Sequence, residues 1–176
     1  QTCALPILNK KYILFGAASM SSIYKGLSYV YDTLIKLPSE YEFIVLGKLA
    51  AEDIPSQILD RMHMMGFVSK DEEKRIIYSA ADVFLITSIA ENYPNMVIES
   101  MACGTPVAGF ATGGIVEQIE DRVSGCLAQV GDTGALVSGI EWLIQNNVEG
   151  KVSLKAREFV LSTCAYDNID KLYASL

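Results

Sequence analysis

Histidine, cysteine, positive charge and long apolar runs are all scarce in this sequence, and each shortage removes a class of function. One histidine, His63, and four cysteines (Cys3, Cys103, Cys126 and Cys164) are too few and too scattered for a His/Cys metal site, and no CxxC pair occurs. The thiols are expected to be reduced, as in a cytoplasmic protein. No stretch reaches the ~18 to 20 apolar residues that a membrane span needs, and no signal-peptide pattern opens the chain. Fourteen Lys and Arg against 21 Asp and Glu leave a formal net charge of −7, and no arginine precedes Arg61. That balance argues against a nucleic-acid partner, although an acidic domain can still hold an anion locally.

What is present is core. At 176 residues, 51% hydrophobic and 20% charged, the chain has the length and composition of one globular domain. Its first residues read differently, because Thr2-Cys3-Ala4-Leu5-Pro6-Ile7 matches an in-frame translation of a common sequencing adapter. Residues 1–10 are therefore expected to be a non-native or truncated start, with the domain proper over 11–176.

From Lys11 onward, short apolar runs alternate with amphipathic stretches, the pattern of a parallel sheet covered by helices. Strands are predicted at Tyr12–Phe15, Glu42–Leu46, Met64–Phe67, Val83–Ile86, Pro106–Phe110 and Cys126–Ala128, all read as buried on both faces. Helices are predicted at Lys25–Lys36, Pro55–Arg61, Lys70–Ser79, Asn95–Cys103, Ile115–Ile119, Thr133–Gln145, Ser153–Leu161 and Asp167–Ser175. Ser69 with Glu72 suggests a capping box, and Asp132 an N-cap. The expected fold is a doubly wound, Rossmann-like α/β domain with helices on both faces of the sheet. Ligands of such sheets sit beyond the carboxyl ends of the strands. The loops Gly16–Gly26, Thr87–Asn95 and Ala111–Gly114 should meet there.

The most informative passage runs from Glu91 to Glu99, through Pro94-Asn95-Met96-Val97, straight after the Val83–Ile86 run. Pro94 reads as a first-turn helix residue, leaving the N–H groups of Asn95, Met96 and Val97 free at the positive end of the helix dipole. Such a helix start suits a phosphate, though an ordinary helix entry looks the same in sequence. Glu99, about one turn in, would repel a diphosphate and is better matched to the vicinal hydroxyls of a ribose, with an exposed helical glutamate favoured by the dipole as the plain alternative. Glu91 suits the hydroxyls of a sugar, with a solvated loop carboxylate as the plain alternative. A nucleophilic role is the alternative, but spacing fixes no distance to an anomeric carbon. Lys25, before Gly26, could neutralise a diphosphate leaving group, with a solvated lysine as the plain alternative. Gly113-Gly114 would allow close backbone approach to a ligand or a plain turn. His63 reads as a structural residue without a clustered partner. The carboxylate spacing alone is cheap, since Glu141 and Glu149 repeat it with no comparable context.

The block Glu91–Pro106, with Tyr12-Ile13-Leu14-Phe15-Gly16, Lys25-Gly26, Ile77–Leu85 and Thr112-Gly113-Gly114-Ile115, resembles the C-terminal, donor-binding domain of retaining GT-B glycosyltransferases of family 4 (glycosyl transferases group 1). The resemblance covers nearly all of Lys11–Leu176. It implies one half of a GT-B fold, whose N-terminal domain holds the acceptor, so this domain alone would be inactive. It implies donor-binding roles for Gly16, Lys25, Phe67, Val68, Glu91, Asn95, Met96, Val97 and Glu99, with Glu91 and Lys25 also the catalytic candidates. Glu99 would meet the ribose, and Phe67-Val68 the nucleobase. The implied reaction transfers a hexosyl group from a nucleotide-diphosphate sugar, with retention, to a glycan or lipid-linked saccharide. It needs neither a metal nor any other cofactor. A polysaccharide pathway follows by analogy only. The implied location is the cytoplasm, including the inner face of a membrane for the full-length protein. Many members carry an arginine just after the first-strand glycine, where this chain has Ala17 and Ala18. Diphosphate neutralisation would then rest on Lys25 and the helix start, with Lys48 as a further helper. A nucleotide-sugar epimerase and a non-catalytic nucleotide- or partner-binding domain are the competing readings.

Overall fold

A computed structural model of the chain describes residues 10–16 and 22–164. Its six strands are β1 (Lys11–Gly16), β2 (Tyr41–Leu46), β3 (Met62–Gly66), β4 (Val83–Ile86), β5 (Val107–Phe110) and β6 (Gly125–Ala128). All pair in parallel, in the order β3-β2-β1-β4-β5-β6. The order reverses between β1 and β4, so the crevice that a doubly wound sheet offers to ligands opens above those two strands.

The helices among the described residues are α1 (Leu27–Lys36), α2 (Ser56–Leu59), α3 (Asp71–Ala80), α4 (Asn95–Ala102), α5 (Ile115–Gln118), α6 (Thr133–Asn146) and α7 (Lys151–Thr163). Side chains alternate along a strand, so Ile13 and Phe15 enter one core while Leu14 enters the other, and all three are buried. The first core is closed by Val30 and Leu34 of α1 and by Leu136, Ile140 and Leu143 of α6. The second is closed by Tyr78 of α3, Val97 and Met101 of α4, and Ala156 and Val160 of α7. Burying each large aliphatic side chain stabilises the domain by about 1.5–3 kcal/mol, which makes these two clusters the rigid base on which the loops stand.

Several boundaries depart from the sequence-based expectation. β3 occupies Met62–Gly66 rather than Met64–Phe67, and as the sheet's edge strand it is only half covered. Phe67 consequently lies outside the sheet, with 74% of its surface exposed. α1 starts at Leu27 rather than Lys25, which instead ends a short 3-10 turn, Ile23–Lys25, because Gly26 takes a left-handed conformation and separates the two. α2 shrinks to four residues behind Pro55. The Ser69–Glu72 capping box does not form. The N-cap of α3 is Lys70, and the dipole is met instead by Asp71, Glu72 and Glu73 in the first turn. Asp132 does cap α6, accepting from the Ala135 N–H at 2.8 Å. His63 has a partner after all, its Nε2 lying 2.9 Å from the Glu42 carboxylate on the neighbouring strand. The predicted helix at Asp167–Ser175, Cys3 and residues 1–9 lie outside the described residues.

Candidate functional site

The loops leaving β1, β4 and β5 rise from the same edge of the sheet, as the topology requires. They are stitched together by polar contacts. Thr87, buried at the end of β4, donates from Oγ1 toward the carbonyls of Lys25 (3.1 Å) and Gly26 (3.0 Å). The Ile89 N–H reaches the Tyr24 carbonyl at 2.9 Å, and Thr112 Oγ1 donates to the Ile89 carbonyl at 3.1 Å. The Lys25 backbone is thus held by the Thr87 hydroxyl of the β4 loop rather than carried on a free helix start.

Gly113 and Gly114 sit against the same loop. A Cβ on Gly113 would overlap the Glu91 carbonyl, and one on Gly114 the Asn92 carbonyl. Gly113 also has a φ of +48°. The pair therefore lets the Glu91 loop come down onto the β5 loop.

Two adjoining cavities result. The larger, about 390 Å³, lies over β1 and β4 and includes Gly16, Lys25, Ser88, Glu91, Asn95 and Met96 in its lining. The smaller, about 190 Å³, is lined by Gly47, Phe67, Val68, Lys74, Tyr78 and Glu99, among others. Met96 borders both, so the first turn of α4 is the wall between them.

In the larger cavity Lys25 and Glu91 form an ion pair through Nζ and Oε1, and Ser88 Oγ donates to the same oxygen at 2.7 Å. The other Glu91 oxygen has no partner among the described residues. In the smaller cavity, Tyr78 Oη donates to Glu99 Oε2 at 2.9 Å. Burial, reinforced by the Glu99 charge, pushes the Tyr78 phenol far above its ordinary pKa and keeps it protonated. Tyr78 is itself fixed from behind by Thr105 Oγ1, which donates to its carbonyl at 2.6 Å.

Pro94 is the N-cap of α4 with extended geometry (φ −69°, ψ 119°), one position earlier than its expected place in the first turn. Its carbonyl accepts from the Val97 N–H at 3.2 Å and from the Gln118 amide at 3.3 Å. Val97 is moreover fully buried. Of the three N–H groups expected to be free, those of Asn95 and Met96 have no backbone partner among the described residues, whereas that of Val97 is occupied. An anion over α4 would meet Asn95 and Met96.

Gly16, Lys25, Glu91, Asn95 and Met96 are thus gathered around one cavity, and Phe67, Val68 and Glu99 around the next. Lys48 is exposed and borders neither; Lys74 lines the smaller cavity together with Glu99. Sequence reading missed Thr87, Ser88, Tyr78 and Lys74. A signal for the first two was available: two adjacent hydroxyls directly follow an all-apolar strand, at the edge where ligands bind. Among the described residues, no group of three or more His, Cys, Asp or Glu side chains could hold a metal ion. No helix there is long and apolar enough to cross a membrane.

A family model described as "Glycosyl transferases group 1" matches residues 10–146. Among curated proteins, the chain is 28% identical over 124 residues to N-acetyl-alpha-D-glucosaminyl L-malate synthase of Bacillus anthracis, covering 68% of this chain and 32% of that protein. It is 26% identical over 172 residues to an uncharacterized glycosyltransferase of Methanocaldococcus jannaschii, covering 93% of this chain and 43% of that one. Among solved structures, Anabaena HepE in complex with UDP superposes with a TM-score of 0.79 at 22% identity, over 96% of this chain and 50% of HepE. The chain therefore spans less than half the length of these two curated relatives and half of the superposed structure.

Proposed function

This chain belongs to the glycosyl transferases group 1 family, and from that premise we propose that it is the donor-binding half of a retaining, metal-independent glycosyltransferase. The observation that carries the proposal is the pair of cavities divided by the first turn of α4, with one carboxylate in each. A nucleotide-diphosphate sugar has three parts of different chemistry, and the site offers three matching environments in line. The nucleoside lies in the smaller cavity, where Glu99 accepts from the ribose hydroxyls beside Phe67 and Val68. The diphosphate spans α4, meeting the Asn95 and Met96 N–H groups at the positive end of the helix dipole. The sugar lies in the larger cavity, with its hydroxyls on Glu91.

Lys25 changes partner in this scheme. Without ligand its charge rests on Glu91; with donor bound, the diphosphate draws it away. As the sugar–phosphate bond breaks, charge grows on the departing phosphate, and a lysine already there stabilises it without reorganisation. Glu91 is freed at the same time to accept from the sugar. HepE has been solved with UDP and with UDP-glucose, which supports a uridine nucleotide as the first donor to try. The acceptor, a glycan or lipid-linked saccharide, is assigned to the rest of the full-length protein.

The test is a product assay on the full-length protein with UDP-, GDP- and ADP-sugars and saccharide acceptors. A new glycosidic bond with the donor's anomeric configuration is expected. An epimerised free sugar and no transfer would favour the epimerase reading instead.

A further inference from the structure

The two carboxylates are held in the same way by groups no part of the scheme has used. Ser88 is buried to 2% exposure, and its hydroxyl makes one described contact, with Glu91 Oε1. Tyr78 is buried to 1%, and its hydroxyl contacts Glu99 Oε2. Each hydroxyl engages one oxygen and leaves the other without a partner among the described residues, and each carboxylate lines a cavity. Burial requires some hydrogen-bond partner for each hydroxyl, but does not require that the partner be the carboxylate lining a ligand cavity.

We propose that Ser88 and Tyr78 are a matched pair of positioning residues, Ser88 aiming Glu91 at the sugar and Tyr78 aiming Glu99 at the ribose. The pair rests on the donor-site reading above and extends it to how the carboxylates are oriented. Ser88 matters most when donor binds. Lys25 and Ser88 share one Glu91 oxygen, and once Lys25 turns to the diphosphate, Ser88 alone holds that oxygen in place. Without it the carboxylate could follow the lysine or swing into solvent. Tyr78 stands on firmer ground: α3 carries it, Thr105 fixes its backbone, and its ring packs edge-on against Phe84, 6.0 Å between centroids. Glu99 is thereby held by the core itself.

The two roles separate in a binding experiment. The full-length protein is screened by calorimetry against UDP, GDP and ADP and their glucose conjugates, and the best nucleotide and its conjugate are carried forward. Ser88→Ala is expected to weaken the conjugate about tenfold while the bare nucleotide stays within about twofold, as expected for one lost hydrogen bond to a charged group. Ser88→Thr, which keeps the hydroxyl, should restore the conjugate. Tyr78→Phe is expected to weaken nucleotide and conjugate alike, each about tenfold, with their ratio unchanged. Circular dichroism confirms that each variant is folded, and the Ser88 pair alone suffices should Tyr78→Phe unfold. Equal loss of both ligands in Ser88→Ala, or no loss in either variant, overturns the pair. If the wild-type protein binds none of the six compounds, the donor-site reading itself is wrong, and the pair goes with it.

Discussion

Gly113→Ala should be among the most damaging single-methyl additions in this domain, and its cost can be built from two parts. The first is conformational: Gly113 has a φ of +48°, where an L side chain costs about 1–2 kcal/mol. The second is steric: the new Cβ would overlap the Glu91 carbonyl, a backbone atom that cannot rotate aside. Overpacking of that kind typically adds about 1–3 kcal/mol. The sum, about 2–5 kcal/mol, corresponds to a fall of roughly 5–15 °C in Tm for a domain of this size. Two companion substitutions isolate the parts. Gly66 also has positive φ, +68°, but nothing lies within 4 Å of an added Cβ, so Gly66→Ala should show only the conformational cost, about 1–2 kcal/mol. Gly134, in the first turn of α6, needs no positive φ and would meet only the Asp132 carboxylate at 3.4 Å. Gly134→Ala should be neutral or stabilise by up to about 1 kcal/mol. Urea denaturation of the chain measures all three. The ordering Gly113, Gly66, Gly134, from most to least damaging, is expected. A Gly113→Ala variant no less stable than Gly66→Ala would refute the claim that the glycine pair seats the Glu91 loop.

Thr87→Val keeps the shape of a buried side chain but removes the hydroxyl that meets the Lys25 and Gly26 carbonyls, and it should cost about 1–3 kcal/mol in a denaturation experiment. Lys25→Ala should lower kcat about a hundredfold or more in the full-length enzyme, as expected for loss of a preorganised charge on the leaving group. Its effect on stability should stay below about 1 kcal/mol, because the lysine is 36% exposed, and normal turnover in a folded variant would exclude the leaving-group role. Between α1 and α6, hydrogen bonds from Lys36 and then Thr133 hold the Asp32 carboxyl below the usual carboxylate range. A depressed folded pKa gives stability that is present above the unfolded value and lost as pH falls through the folded one. Asp32→Asn should therefore lower the urea midpoint at neutral pH and match wild type at the acid end. The pair is half exposed, so the neutral-pH loss should be under about 1 kcal/mol, and an equal loss at all pH values would contradict the assignment.

The sheet and the edge where its loops gather were legible because buried parallel strands leave continuous apolar runs, and Val83–Ile86 is found where such a run predicts it. β3 was misplaced because an edge strand needs no such run: Met62 and His63 pair with β2 while one side stays open to solvent. The start of α1 was misread because nothing in Lys25-Gly26 announces that Gly26 will turn left-handed and restart the helix one residue on. Within the site, Lys25, Glu91 and Glu99 stood out as charged residues in a distinctive passage. Their supports stood out less: Thr87 and Ser88 are marked only as hydroxyls directly after an apolar strand, and Tyr78 becomes meaningful only when the fold brings α4 beside α3. The Val97 N–H shows a finer limit. Sequence places it among three free donors, but a tight first turn onto the Pro94 carbonyl consumes it.

A crystal structure of the protein with UDP bound tests the central claim most directly. The ribose hydroxyls should lie on the Glu99 carboxylate, and the diphosphate between Lys25 and the Asn95 and Met96 N–H groups, with Lys25 drawn off Glu91. A nucleotide seated elsewhere, for instance in the groove between α3 and α7 beside Arg75 and Arg157, with the Lys25–Glu91 pair intact, would contradict it.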